Sequence, residues 1–176
     1  MTDLHIPTLT TDRLTLRCPR MSDFEAYAAF RMGPRSQFIG GPNTRDDCFT
    51  KLGEIIGHWQ LRGFGRWLVA DRTTDEPLGI VGLYHPEDWP DREIAWSLFD
   101  AGLRRGVASE AALAAREYAY TTLGWTTATS LIAPDNSRSI ALAKRLGATF
   151  EQTYAHPTLG DMQIWRHPAA KDIAHD

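Results

Sequence analysis

Leu103-Arg104-Arg105-Gly106-Val107-Ala108-Ser109-Glu110 sets two guanidinium groups and a glycine pivot between a strand pattern and a helix pattern. Upstream, Glu93-Ile94-Ala95-Trp96-Ser97-Leu98-Phe99 is β-branched, aromatic and roughly alternating, as a half-buried strand is. Downstream, Ala111 to Tyr120 is alanine-rich and favours a helix. The backbone N–H groups from Arg104 to Ser109 are then left without carbonyl partners at a helix N-terminus. Those donors, the helix dipole and the two arginines suit a pyrophosphate. Taken alone, the segment is equally a solvated turn.

A second unit of the same kind follows. The apolar run Ala128 to Ala133 ends at Pro134, Asn136 is placed to cap a short helix, and Gly147 stops it. Two strand–loop–helix units in succession, each with polar groups at the helix start, describe neighbouring parallel strands whose ends open onto one ligand.

The elements that must position these loops are legible in outline. Leu14 and Leu16 alternate as a first strand, and Ser22-Asp23-Phe24-Glu25 has the pattern of a capping box opening a helix to about Arg31. Gly33-Pro34 and Gly40-Gly41-Pro42 break the chain around a loop, after which Thr44 can cap a longer helix. There Cys48, Leu52, Ile55, Ile56 and Trp59 recur at helical spacing, with Gly53 and Gly57 read as points of close packing, and Gly63-Phe64-Gly65 ends the element. An antiparallel pair turns through Thr73-Thr74-Asp75-Glu76, and a last hairpin, Thr149 to Tyr154 with Met162 to Trp165, turns around Leu159-Gly160-Asp161. The order predicts a mixed α/β sheet in a single domain over residues 1–168, with 169–176 as a frayed tail.

Composition narrows the function. A chain of 176 residues with 43% hydrophobic content holds one core. A net charge of −3 and a pI near 6.1 argue against nucleic acid as a partner. Cys18 and Cys48 have neither metal spacing nor the density of a disulfide scaffold, and the six histidines form no ligand cluster, so no metal is expected. No apolar run approaches the ~18 residues that span a bilayer, and Met1-Thr2-Asp3-Leu4-His5 lacks a signal-peptide pattern. The expectation is a cytoplasmic protein with reduced thiols and no membrane association. Gly63-Phe64-Gly65 lacks the third glycine of a dinucleotide fingerprint and precedes a strand, which argues against NAD.

From Thr11-Asp12-Arg13-Leu14-Thr15-Leu16-Arg17, through the Glu93 strand and the Gly106 loop, to the Asn136–Gly147 helix, the chain resembles the GNAT superfamily of acyl-CoA-dependent N-acyltransferases, more closely its RimJ/RimL-like branch. The resemblance implies a mostly antiparallel sheet of about seven strands with one parallel, splayed pair at the acyl-CoA site, flanked by about four helices. It implies acetyl-CoA as co-substrate and an amine acceptor, either a protein N-terminus or a small molecule. Matched position by position, Trp96, Ser97 and Leu98 fall on the strand that binds the pantetheine arm. Arg104, Arg105, Gly106, Val107, Ala108 and Ser109 fall on the pyrophosphate loop, and Asn136 on the helix-start amide that contacts the arm. Glu93 matches the glutamate that takes the amine's proton, and Ser139 the Ser of an Asn-x-x-Ser pattern that leaves it as the hydroxyl for the departing thiolate. Two positions depart from the family. Leu103 stands where Gln or Arg often opens the loop, and Ala143 stands where many members carry a tyrosine acid.

Direct attack of the bound amine on the thioester is expected, because neither cysteine falls in the ligand-facing units. Trp89, between charged residues and Pro90, is a candidate wall of the acceptor site, with Tyr84, His85, Glu87, Asp88 and Asp91 nearby. The acceptor-side segments Gly33 to Thr44, Tyr84 to Arg92 and Ala155 to Asp161 carry no readable motif. The alternative reading is a non-catalytic, CoA-binding regulatory module of the same fold. The last hairpin, with Ile164 and Trp165, offers an edge for a homodimer, and a covered edge satisfies the same pattern.

Overall fold

Eight short strands build one sheet, which the computed structural model describes over residues 5–173. The strands are β1 (Leu9–Thr10), β2 (Leu14–Arg17), β3 (Arg66–Asp71), β4 (Pro77–Tyr84), β5 (Glu93–Leu98), β6 (Thr129–Ile132), β7 (Thr149–His156) and β8 (Gly160–Arg166). Their order across the sheet is β1-β2-β3-β4-β5-β6-β8-β7. Every neighbouring pair is antiparallel except β5 and β6. A parallel pair needs a crossover, and α3 (Val107–Thr121) supplies it.

Both faces of the sheet are covered. Ala108, Ala111, Ala112, Ala115 and Ala119 form the buried stripe of α3, and their small side chains let the helix lie close on β4 and β5. On the opposite face, α1 (Phe24–Met32) and α2 (Arg45–Arg62) pack Tyr27, Cys48, Leu52 and Ile55 against Leu68, Ala70 and Ile80. Each such large side chain fully buried contributes about 1.5–3 kcal/mol. Thr44 caps α2 as its sequence position predicts, accepting from the Asp47 N–H, and Gly63 ends it in the left-handed conformation (φ 74°). Helix α4 (Ser137–Arg145) closes over β6, where Ile132, Ala143 and Trp165 pack together.

The expected mixed, mostly antiparallel sheet with one parallel pair is present, and β1, two residues paired with β2, adds an eighth strand. Several other expectations are corrected. Ser22-Asp23 ends the 3₁₀ turn Met21–Asp23, and Asp23 is buried as the bidentate partner of Arg17 (2.9 Å for both contacts) while accepting from the Arg20 N–H at 2.7 Å. A Cβ at Gly53 or Gly57 would meet nothing within 4 Å, so neither marks a close approach. Ile164 and Trp165 are buried in β8 between two neighbours, and the edge strand is the exposed β7. Within the tail, Ala170–Asp172 forms a 3₁₀ turn whose Ala170 N–H donates to the Thr126 carbonyl at 2.9 Å. Residues 1–4 and 174–176 lie outside the described residues, and with them all but His5 of the N-terminal segment that lacks a signal-peptide pattern.

Candidate active site

Strands β4 and β5 pair along six positions from Gly79–Leu98 to Tyr84–Glu93, whereas β5 and β6 pair only at Glu93–Thr129. Beyond Glu93 the two parallel strands separate. The Ile94 carbonyl accepts from the Ser130 hydroxyl at 2.6 Å and the Leu98 carbonyl accepts from Arg35 Nη2 at 2.7 Å. By the two-residue period of a strand, the amides of Trp96 and Leu98 face the same open edge. Ser97 alternates with them, so its backbone groups face Ile80 of β4 even though the residue lines the cavity.

The opening between the strands leads into a cavity of about 220 Å³. Its wall includes Glu93, Trp96 and Ser97 of β5, the stretch Ser130 to Ala133, and Asn136 and Ser139 at the start of α4. All three segments without a motif contribute to the wall as well, through Phe38 and Ile39, Tyr84 and Trp89, and His156, Thr158 and Leu159.

Glu93 is 5% exposed. Leu131 N–H donates to its Oε1 at 3.0 Å, and the indole N–H of Trp89 donates to Oε2. Burial pushes the carboxyl up to about 7, against the opposing pull of the Leu131 and Trp89 donors and of Arg66. Such a group is half-ionised at neutral pH and can take up or release a proton there. Trp89 is held by edge contacts with Tyr84 (5.0 Å between centroids) and His156 (4.9 Å).

At the other wall Asn136 is the N-cap of α4, its Oδ1 accepting from the Ser139 N–H at 3.3 Å. The Ser139 hydroxyl accepts from the Trp96 indole N–H at 3.2 Å, which leaves its own proton free to be donated. Ala143 is fully buried beneath it, so this turn of α4 presents no tyrosine to the cavity.

The Gly106 loop follows β5 at the end remote from Glu93. The N–H groups of Arg104 to Ser109 have no acceptor among the described residues. Arg104 and Gly106 are both left-handed (φ 59° and 71°), which turns successive amides outward as α3 begins. Arg104 is exposed without a side-chain partner among the described residues. Arg105 is turned away, with its guanidinium on Asp71 (3.0 Å) and on the Ala101 carbonyl (3.0 Å), so only its backbone is available to the loop. Arg13 comes instead to the cradle. Its Nη1 donates to the Arg105 carbonyl at 2.8 Å and its Nε to Glu110 at 2.8 Å, beside the Thr11 hydroxyl bonded to the same carboxylate. Sequence reasoning passed over Arg13, because no local pattern ties β2 to the start of α3.

Among the charged residues near Trp89, Asp91 is paired with Arg166 and Glu87 with Arg62, and neither lines the cavity. His85 and Asp88 stand outside it also, and Tyr84 lies in the wall. Cys48 is buried in α2, Cys18 is half-buried, and neither reaches the cavity.

A splayed parallel pair between two helix-start loops is the geometry that the family comparison meets. Residues 13–149 match the model of the acetyltransferase (GNAT) domain. The chain belongs to the GNAT acetyltransferase family. As a member it is an acyltransferase, in a family whose fold uses acetyl-CoA. It is 35% identical to an acetyltransferase of Agrobacterium tumefaciens str. C58 of known structure, with a TM-score of 0.85 over 93% of this chain and 95% of that one. An uncharacterized N-acetyltransferase, YoaA of Bacillus subtilis (strain 168), is 27% identical over 145 residues, 80% of this chain and 82% of that protein. The ribosomal L7/L12 α-N-protein acetyltransferase RimL, solved with coenzyme A, shares the fold at 16% identity, with a TM-score of 0.75 over 92% of this chain and 97% of that one. Among the described residues of this acetyltransferase, no helix is long and apolar enough to cross a membrane.

Proposed function

We propose that this chain is an N-acetyltransferase that takes acetyl-CoA as acyl donor and a primary amine, on a protein N-terminus or a small molecule, as acceptor. The observation that carries the reading is Glu93, a buried carboxylate of neutral-range pKa facing a cavity where two parallel strands part.

The residues present fit an elongated donor. The outward amides of Arg104 to Ser109, with Arg104 and Arg13 beside them, suit a pyrophosphate, and adding a Cβ at Gly106 would crowd Arg13 Nη2 at 3.3 Å. The open edge at Trp96 and Leu98 offers backbone groups to an amide-bearing arm, with Asn136 across the gap. Acetyl-CoA supplies the activated acyl group when bound.

The protein's own groups handle the protons. An alkylammonium has a pKa near ~10 and must lose a proton before its lone pair can attack. Glu93 accepts that proton, directly or through a water, and passes it to solvent, and the nitrogen gives up a second proton by the same route once the C–N bond has formed. Ser139, whose hydroxyl lines the same cavity, gives a proton to the thiolate as the C–S bond breaks and regains one from solvent. Holding amine and thioester together supplies much of the acceleration, and backbone donors of the splay polarise the carbonyl.

Titration of the purified protein with acetyl-CoA, free CoA and adenosine diphosphate, followed by thiol-release assays over a set of amines, tests the reading. Saturable acetyl-CoA binding with transfer to an amine supports it. Binding without transfer to any amine would make the chain a CoA-binding regulatory module instead.

A further inference from the structure

Two arginines among the described residues are buried, and they are treated differently. Arg17 is held by Asp23 and Asp75. Arg31, in the last turn of α1, is 6% exposed, lines the cavity and has no carboxylate partner. Its one hydrogen bond goes from Nη1 to the Ile39 carbonyl at 3.3 Å, and its Nε is buried without a partner. A buried guanidinium left with unsatisfied donors is costly, and an anion is what removes the cost.

The surroundings add positive charge. Arg66 at the start of β3 lines the same cavity, lies over the Tyr84 ring at 4.1 Å, and is close enough to act on both Arg31 and Glu93. Lys51 of α2 is a third cation in the wall, and the exposed Glu54, which lines the same wall without bonding to Arg31, acts on Arg31 as a single opposing charge. His156 supplies another unpartnered donor. Its Nδ1 accepts from the Thr158 and Leu159 N–H groups (3.2 and 3.1 Å), which places the ring proton on Nε2, and Nε2 is buried with no partner. The row from Arg66 to Tyr84 to Trp89 to Glu93 therefore joins a cationic end of the cavity to its carboxylate.

We propose that the acceptor is a small amine that also carries a carboxylate, of the amino-acid class, with its carboxylate held by Arg31 and Arg66 and its amine presented to Glu93. A peptide N-terminus carries a neutral amide where a free amino acid carries its carboxylate and would leave Arg31 uncompensated. The inference rests on the amine-acylating role of Glu93 proposed above, which its test can separate from it.

The probes are the common L-amino acids as free acids, the same amino acids as carboxamides, and amidated tripeptides beginning with them. Each is assayed for thiol release at saturating acetyl-CoA, and each is tested for a shift in Tm with no acetyl-CoA present. The expected result is a preference of about tenfold or more in kcat/KM for at least one free acid over its amide, with a Tm shift for the acid alone. Arg31→Met should bring the acid-to-amide ratio toward one, and Arg66→Gln, at a less buried position, should narrow it if Arg31→Met does not fold. Amides or tripeptides acetylated as well as the acids, or a ratio unchanged in a folded variant, would overturn the proposal while leaving amine acetylation standing. An Arg31-dependent Tm shift with no acetyl transfer to any amine would overturn the acetylation reading and the acceptor role with it, leaving only a carboxylate-binding site at Arg31. No shift and no transfer would remove both.

Discussion

The indole N–H of Trp89 donates to Oε2 of Glu93 while the Leu131 amide holds Oε1, so one carboxylate is fixed jointly by a loop and by the neighbouring parallel strand. Neither oxygen is left to rotate freely, and the group remains on the cavity wall. Burial raises its pKa and these donors restrain the rise.

The acid limb of the pH profile follows from this balance. A base with a pKa of about 7 is protonated below neutrality, so kcat/KM should fall about tenfold per pH unit below that value and level off above it. Glu93→Gln should lower turnover by about 10²-fold or more and remove that limb, with acetyl-CoA affinity nearly unchanged. An intact limb in this variant would assign the titration to another group.

Trp89→Phe keeps an aromatic ring between Tyr84 and His156 and deletes one donor to the ionised carboxylate. Loss of a hydrogen bond to the charged form raises a carboxyl pKa, so the limb should move to higher pH by about one unit. A lower kcat with an unmoved limb would mean that Trp89 only shapes the wall.

Ser139→Ala leaves the backbone cap at Asn136 in place and removes the hydroxyl that Trp96 positions. Turnover should drop by about 10²-fold while binding of acetyl-CoA, followed by calorimetry, stays close to the wild type. Unchanged turnover would take Ser139 out of the proton path.

Gly106→Trp places a side chain at a left-handed position beside Arg13. Acetyl-CoA binding should be abolished in a sample whose far-ultraviolet circular dichroism still shows the fold. Retained binding would mean that the pyrophosphate lies elsewhere.

Stability should respond to acid through His167. This residue is 2% exposed, bonded to Ser130 at 2.9 Å, and its pKa is lowered to about 3, chiefly by burial and further by Arg116 and Arg166. The unfolded chain binds a proton near pH 6.5 that the folded chain refuses until about pH 3. The contribution is therefore complete above 6.5 and lost as pH falls through that window, by up to about 4–5 kcal/mol. Glu93 acts oppositely between its ordinary range and about 7, where rising pH costs stability because the unfolded chain releases a proton that the folded chain keeps. Urea unfolding of wild type and His167→Gln at pH 7 and pH 4 should show a smaller acid loss in the variant. Equal losses would place the acid sensitivity elsewhere.

Local chemistry made part of this legible in the chain alone. Thr44 before α2, Asn136 before α4 and the glycine at 106 are short-range signals, because a cap or a turn is decided by neighbouring residues. The alternation around Trp96 and the helix pattern of α3 imply the crossover and hence the parallel pair. Glu93, Ser139 and the loop could be named as candidates because each sits at a fixed place on such an element.

Tertiary structure alone decided what those residues touch. Arg105 lies beside Arg104 in sequence, yet Asp71 draws its side chain away, and Arg13 from the far end of the sheet takes the place beside the loop. Asp23 carries a capping pattern, and its buried contact with Arg17 comes from a strand packing beside it. Arg31, Arg66, His156 and Glu93 belong to four different elements with no shared motif, and only the closing of the sheet and helices around one cavity brings them together. Propensity and capping act over a few residues, whereas burial and long-range ion pairing, which set the pKa of Glu93 and leave Arg31 without a partner, depend on contacts that no local pattern contains.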